Sequence, residues 1–184
     1  MGKIVLVIAP ERFRDEELFD TREELHRAGH RTAIASTRKG KCLGSRGGTA
    51  RATELLADVE PETYDAVVFV GGGGAKVYFE DPAAQGLASA MHKRRKVVAA
   101  ICLAPVILAN AGVLKGKKAT VAGTEAKTME AGGAEYMGPG VVVSGNVVTA
   151  NPPKASRMFG KKIHEVLASR AARVMPESRS RCPL

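Results

Sequence analysis

The chain of 184 residues contains no tryptophan, and aromatic residues make up only 4% of it. It therefore offers few faces on which nucleic-acid bases could stack. No uncharged apolar run approaches the roughly 18 residues that a membrane span needs. The opening "MGKIVLVIAPERFRDEE" has one lysine, a short apolar run and then dense charge. A signal peptide would need a longer apolar region and a small-residue cleavage site, so a cytoplasmic protein is expected. Cysteine is scarce as well. Cys42, Cys102 and Cys182 are odd in number, widely spaced and without a CxxC, which argues against a disulfide framework and a zinc site. His26 and His30 are four apart, but Ala28-Gly29 at an expected helix end separates them, so no metal pair is expected.

What is present in excess is positive charge, with 28 basic against 19 acidic side chains and a net charge of +9. The clusters "RKGK" (38–41), "HKRRK" (92–96) and "KGKK" (115–118) are dispersed along the chain and fall at expected element boundaries. They read as solvated loop charge, and no nucleic-acid partner is expected beyond weak nonspecific attraction. The length suits one domain with a core that needs no staple.

Buried β-branched runs recur. "KIVLVIA" (3–9), "YDAVVFV" (64–70) and "KVVAAI" (96–101) read as strands covered on both faces. Helical patterns fall between and after them. "DEELFDTREELHRAG" (15–29) places Leu18, Phe19 and Leu25 on a charged background and stops at Gly29. "DPAAQGLASAMHKRR" (81–95) has Asp81 to cap it and Pro82 in its first turn. "LAPVILANAG" (103–112), "TEAKTMEAGG" (124–133) and the long "PKASRMFGKKIHEVLASRAARV" (153–174) follow as helices. "RTAIAS" (31–36) and "KKATVAG" (117–123) read as further strands. Hairpins are expected in "RKGKCLGSRGG" (38–48) and "VVVSGNVVTA" (141–150). Strands alternating with helices imply right-handed βαβ units. The expected fold is a three-layer α/β/α sandwich with a mostly parallel, doubly wound, flavodoxin-like sheet. One domain over residues 1–174 is expected, with a disordered tail over 175–184.

In such sheets, sites lie beyond the carboxyl ends of the strands. Two strand ends stand out here, Val70 running into "GGGGAK" and Ile101 into "CLAP". The second has the form small–x–nucleophile–x–small, with Ala100 and Ala104 flanking Cys102. That spacing suits a sharp strand-to-helix elbow, where larger flanking residues would clash. At the start of a helix, Cys102 would meet a field and free N–H groups that lower its pKa. The competing reading is an inert core cysteine. The run Gly71–Gly74 lacks the continuation of a Walker or dinucleotide motif. It suits either a flexible turn or a cradle of N–H groups for an oxyanion.

With these segments in order, the chain resembles the PfpI-type intracellular protease and DJ-one superfamily, whose fold is that of the class I glutamine amidotransferases. The resemblance runs from about residue 3 to 170. It rests on 12–36, 64–74, 96–120, "AKTMEAGGAEY" (126–136) and 141–150. It implies that Cys102 is the reactive cysteine and Glu17 the carboxylic acid that hydrogen-bonds its sulfur, with Glu16 as the fallback. It implies an oxyanion site at Gly72 and Gly73 with the Leu103 N–H, and assigns to Arg46 the arginine that crosses a dimer interface. It calls for no cofactor and no metal. A small-molecule substrate and a homodimer or higher homo-oligomer are the expected partners, without a membrane.

The departures narrow the chemistry. The protease-like branch has histidine after its cysteine, and here that residue is Leu103. The DJ-one branch carries an aromatic or histidine after the next strand, and here Ala122 stands in "TVAGTE". Without a base, peptide hydrolysis forgoes a factor of about 10²–10⁴. The expected activity is therefore glyoxalase- or deglycase-like chemistry on a small carbonyl compound at Cys102. The alternatives are a redox-responsive stress protein with a sulfinate at Cys102, and a cysteine peptidase or amidase completed by a neighbouring subunit.

Overall fold

The computed structural model describes residues 1–174. The expected tail at 175–184, including Cys182, lies outside the described residues. The chain runs β1 (Lys3–Val7), β2 (Glu11–Phe13), α1 (Asp15–Arg27), β3 (Arg31–Ser36), β4 (Gly40–Gly44), β5 (Thr49–Ala52), β6 (Glu54–Leu55) and β7 (Ala66–Phe69). It continues with α2 (Pro82–Lys93), β8 (Val97–Ile101), α3 (Pro105–Asn110), β9 (Lys118–Ala119), α4 (Ala126–Ala131), β10 (Glu135–Tyr136), β11 (Gly140–Ser144), β12 (Val147–Asn151) and α5 (Ser156–Val174).

The main sheet has the order β11-β12-β8-β7-β1-β3-β6. All its pairings are parallel except β11 with β12, which form the expected hairpin around Gly145. Taken in chain order, the five parallel strands at the centre are arranged 2-1-3-4-5. This is the doubly wound order, whose switch point lies beside the first strand. The apolar runs are continuous because both faces are buried. Val5, Val7, Val67, Phe69, Val98 and Ala100 point into the layer of α2 and α3, with Leu87, Met91 and Ile107. Ile4, Leu6, Val68, Ala99 and Ile101 point into the layer of α1 and α5, with Leu18, Leu25, Phe159 and Ile163. The sheet is thus the middle layer of an α/β sandwich.

Local chemistry sets the helix ends. The Asp81 carboxylate accepts from the Ala83 and Ala84 N–H groups, so it caps α2, and Pro82 occupies the first turn. Beyond α1, Gly29 takes φ 83°, the left-handed conformation that ends a helix cheaply. Some expectations need correction. Phe19 is 37% exposed, because the inward stripe of α1 carries Glu17, Thr21 and Glu24 alongside Leu18 and Leu25. The helix after Cys102 spans only Pro105–Asn110, and the strand expected at 117–123 only Lys118–Ala119. The hairpin of β4 and β5 joins β2 in a small separate sheet.

Candidate active site at the elbow cysteine

Cys102 follows the last residue of β8 and takes φ 62°. A left-handed backbone at a residue with a side chain costs about 1–3 kcal/mol and persists only where its surroundings hold it. Two bonds do so. The Cys102 N–H donates to the Ala150 carbonyl at 2.8 Å, and its carbonyl accepts from the Ala122 N–H at 2.7 Å. Ala100 and Ala104 are fully buried, as the tight elbow requires. The thiol is half-buried and meets the N–H groups of Gly72 and Leu103.

Glu17 lies in the first turn of α1 and is 0% exposed. Its Oε2 accepts from the Gly71 N–H at 2.7 Å. Its Oε1 is sealed from water with no conventional hydrogen-bond partner among the described residues, and the Cys102 thiol is the side chain to which the carboxyl couples. Because Oε2 is already an acceptor, the acid proton belongs on Oε1. Burial is the main cause that raises the Glu17 pKa from 4.5 to about 8, against the Gly71 N–H, the Cys102 hydrogen bond and the Arg14 charge, which lower it.

The cysteine departs from the sequence expectation of a lowered pKa. Burial, then the charge and hydrogen bond of Glu17, push it up to about 12, and the Gly72 and Leu103 N–H groups offset only part of this. The six residues of α3 supply little field. The two groups form one titrating unit, which loses its first proton near pH 8 and then holds one proton between carboxyl and sulfur.

The glycine run owes its composition mainly to packing. A Cβ on Gly71 would lie 2.5 Å from Glu17 Oε2 and 2.9 Å from Cys102 Cβ. One on Gly72, where φ is 93°, would meet the backbone of Arg12–Arg14, and one on Gly74 would collide with the Glu11 carbonyl. Only at Gly73 would a Cβ find nothing within 4 Å. Of the two glycines proposed as oxyanion donors, Gly72 aims its N–H at the sulfur, whereas Gly73 is not among the donors to it.

Of the two candidate acids, the structure brings Glu17 to the thiol. Glu16 turns outward and pairs with Arg14 at 2.8 Å. Arg46 is exposed on the turn between β4 and β5, where its charge acts on Glu16 and not, within one protomer, on Cys102. Two contributors were missed by sequence reasoning. Asp15 accepts from the N–H groups of Arg46 (3.0 Å) and Gly48 (2.7 Å), tying the β4–β5 turn to α1. Arg14 donates its backbone N–H to Gly71 at 3.1 Å, which fixes the glycine loop against the start of the helix. The glycines at 44 and 48, both tight against Asp15, were the available signal for the first.

All four histidines sit away from the thiol, at the opposite end of the sheet. His26 bonds Thr32 at the start of β3, and His30 bonds Gly2 just before β1 and, at 3.0 Å, His164. His92 lies in the last turn of α2, before β8. Among the described residues there is also no cluster of three or more metal-capable side chains, and no helix long and apolar enough to cross a membrane.

The chain as a whole has counterparts among known proteins. The DJ-1/PfpI family matches the chain over residues 3–166. An uncharacterised protein of Methanocaldococcus jannaschii is 43% identical, over 88% of this chain and 80% of that protein. A deglycase of Thermococcus kodakarensis is 34% identical, over 81% of this chain and 90% of the relative. The crystal structure of a ThiJ/PfpI domain protein from Brachyspira murdochii superposes with a TM-score of 0.89 at 37% identity, over 91% and 96% of the two chains. The chain belongs to the DJ-1/PfpI family.

Proposed function

We propose that the protein is a cysteine-dependent enzyme acting on a small 2-oxoaldehyde such as methylglyoxal, in glyoxalase- or deglycase-like chemistry. The observation that carries this reading is the fully buried Glu17 carboxyl, raised to about 8 beside Cys102, with no histidine at that end of the sheet. The deglycase name of the Thermococcus relative supports it. In the singly protonated pair, the proton passes from the Cys102 sulfur to Glu17 as the thiolate adds to the aldehyde carbon. The carbonyl π pair moves onto oxygen, which faces the Gly72 and Leu103 N–H groups and takes the proton from Glu17. Glu17, now a carboxylate, removes the proton on that carbon and returns it to the neighbouring one, while the hydroxyl proton passes to the second oxygen. The hemithioacetal thereby becomes a thioester of the 2-hydroxy acid, and water cleaves it, releasing the acid and restoring the thiol. The sum is aldehyde plus water to hydroxy acid, with no external oxidant. A single acid/base suffices because each transfer spans adjacent atoms. A peptide would in addition need a donor for its leaving amine, and one protomer supplies none.

We also propose that the protein works as a homodimer or larger homo-oligomer. Arg46, with Phe19 and Leu43 exposed at 37% and 41%, supports a partner on this side. Light scattering at working concentration tests it, and a monomer would overturn it. The test of the activity is Cys102→Ser, followed by the loss of methylglyoxal. The expected result is a fall of about 10³-fold or more, and an unchanged rate rejects the proposal. A second reading rests on the same N–H groups and acid proton, which also suit a sulfinate on Cys102. Mass spectrometry after mild peroxide distinguishes it: a dioxygenated Cys102 with Cys42 and Cys182 unmodified supports it, and oxidation elsewhere alone rejects it.

A further inference from the structure

The amino end of the sheet carries a concavity that the chemistry at Cys102 does not use. It measures about 760 Å³ and is lined by His92, Lys93, Arg95, Asn146, Arg170 and Arg173, with no carboxylate in its wall among the described residues. Thus "HKRRK" (92–96), which looks like isolated loop charge in the sequence, converges with the last turns of α5. An adjoining depression shares Arg170 and Arg173 and adds Lys162 with Glu165.

The cations of this wall are poorly compensated. Arg94 pairs with Glu62 and Lys162 with Glu165, but Lys93, Arg95, Arg170 and Arg173 have no ion pair among the described residues, the Asp65 carboxylate acting on Arg170 only at longer range. Bringing four like charges together is unfavourable unless an anion is at hand. Two atoms of lining residues, His92 Nδ1 and Arg170 Nη1, are buried beneath the wall and lack a hydrogen-bond partner among the described residues. Orphaned buried polar atoms are uncommon and call for an explanation. Arg95 closes α2 in a left-handed conformation at φ 56°, its N–H on the His92 carbonyl and the Lys96 N–H on that of Met91, which sets its side chain at the groove.

We infer that this groove binds a free polyphosphate anion, such as the di- or triphosphate moiety of a small molecule. A single carboxylate or phosphate would neutralise at most two of the four cations, whereas a chain of phosphates matches their number. Its oxygens supply acceptors for the exposed guanidinium groups of Arg95 and Arg173, which take phosphate oxygens in pairs. The volume lies in the range of small-ligand sites, and no aromatic side chain lines it for stacked bases.

The test is calorimetric titration of the full chain with inorganic tripolyphosphate at fixed ionic strength, with sodium sulfate as the single-anion control. Saturable binding at one site per chain is expected, with sulfate much weaker. In Lys93→Glu/Arg173→Glu, two exposed positions, affinity falls by about tenfold or more while methylglyoxal turnover is unchanged. Absence of saturable binding overturns the inference, and so does equal affinity in the double variant. Binding of a duplex oligonucleotide without any of tripolyphosphate would assign the groove to nucleic acid and overturn it equally.

Discussion

The two ends of the sheet handle ionisable groups in opposite ways. At the carboxyl end, one acid and one thiol are buried together, and burial keeps both protonated up to about pH 8, with N–H groups of a glycine loop around them. At the amino end, several cations line an open groove, and all four histidines lie at that end of the sheet. The difference teaches where each kind of chemistry can occur. Covalent chemistry on a thiol needs burial and few, well-placed protons. Recognition of an anion needs surplus charge that water has not been entirely excluded from.

The comparison is broken most severely by Cys102→Ser, with the loss of turnover given above. Next comes Glu17→Gln, which keeps an acceptor for the Gly71 N–H but cannot ionise. Turnover of methylglyoxal is expected to fall by about 10²–10⁴-fold. The wild-type kcat/KM should rise with pH and level off above about pH 8, where the pair has lost its first proton, and the variant should lose that inflection. Stability gives an independent reading. The folded protein holds the Glu17 proton more tightly than the unfolded chain, so this contribution is complete below about pH 4.5 and disappears as pH rises through about 8. Chemical denaturation across that window should show a decline in the wild type that Glu17→Gln lacks.

A smaller effect comes from Gly71→Ala, whose methyl group enters the space of Glu17 and Cys102. A loss of about 1–3 kcal/mol in denaturant unfolding is expected, along with reduced turnover. The matched Gly73→Ala should stay within about 0.5 kcal/mol. The least effect on turnover is expected at the other end. His30→Ala removes the acceptor of the Gly2 N–H and should cost about 1–2 kcal/mol of stability, with methylglyoxal loss within twofold of wild type. A large kinetic effect there would erase the division between the ends.

Much of this architecture was legible in the sequence because burial on both faces leaves unbroken apolar runs. The strands around Val5, Val68 and Ala99 announce themselves in that way, and Asp81-Pro82 marks a helix start by its capping chemistry. The three residues of β2 give no such signal, since "ERF" is charged and pairs only through tertiary contact with β4. The elbow was readable from Ala100 and Ala104. Which acid faces it was not readable from residues alone. "DEE" at a helix start is ordinary surface composition, and only the packing of α1 turns its third member inward. The direction of the thiol's pKa was misread for a related reason. A helix start is visible in sequence, whereas burial beside a carboxyl depends on three-dimensional packing. The basic groove was hidden because Arg95 and Arg170, on its two halves, lie far apart along the chain.

The open space at Gly73 has one more consequence. Three members of the glycine run are closed to change by their neighbours, but the fourth stands at the rim with room for a side chain. It is a vacant address beside the thiol. A lineage, or a protein engineer, could write a new substrate preference there one residue at a time without disturbing the elbow, the acid or the fold beneath them.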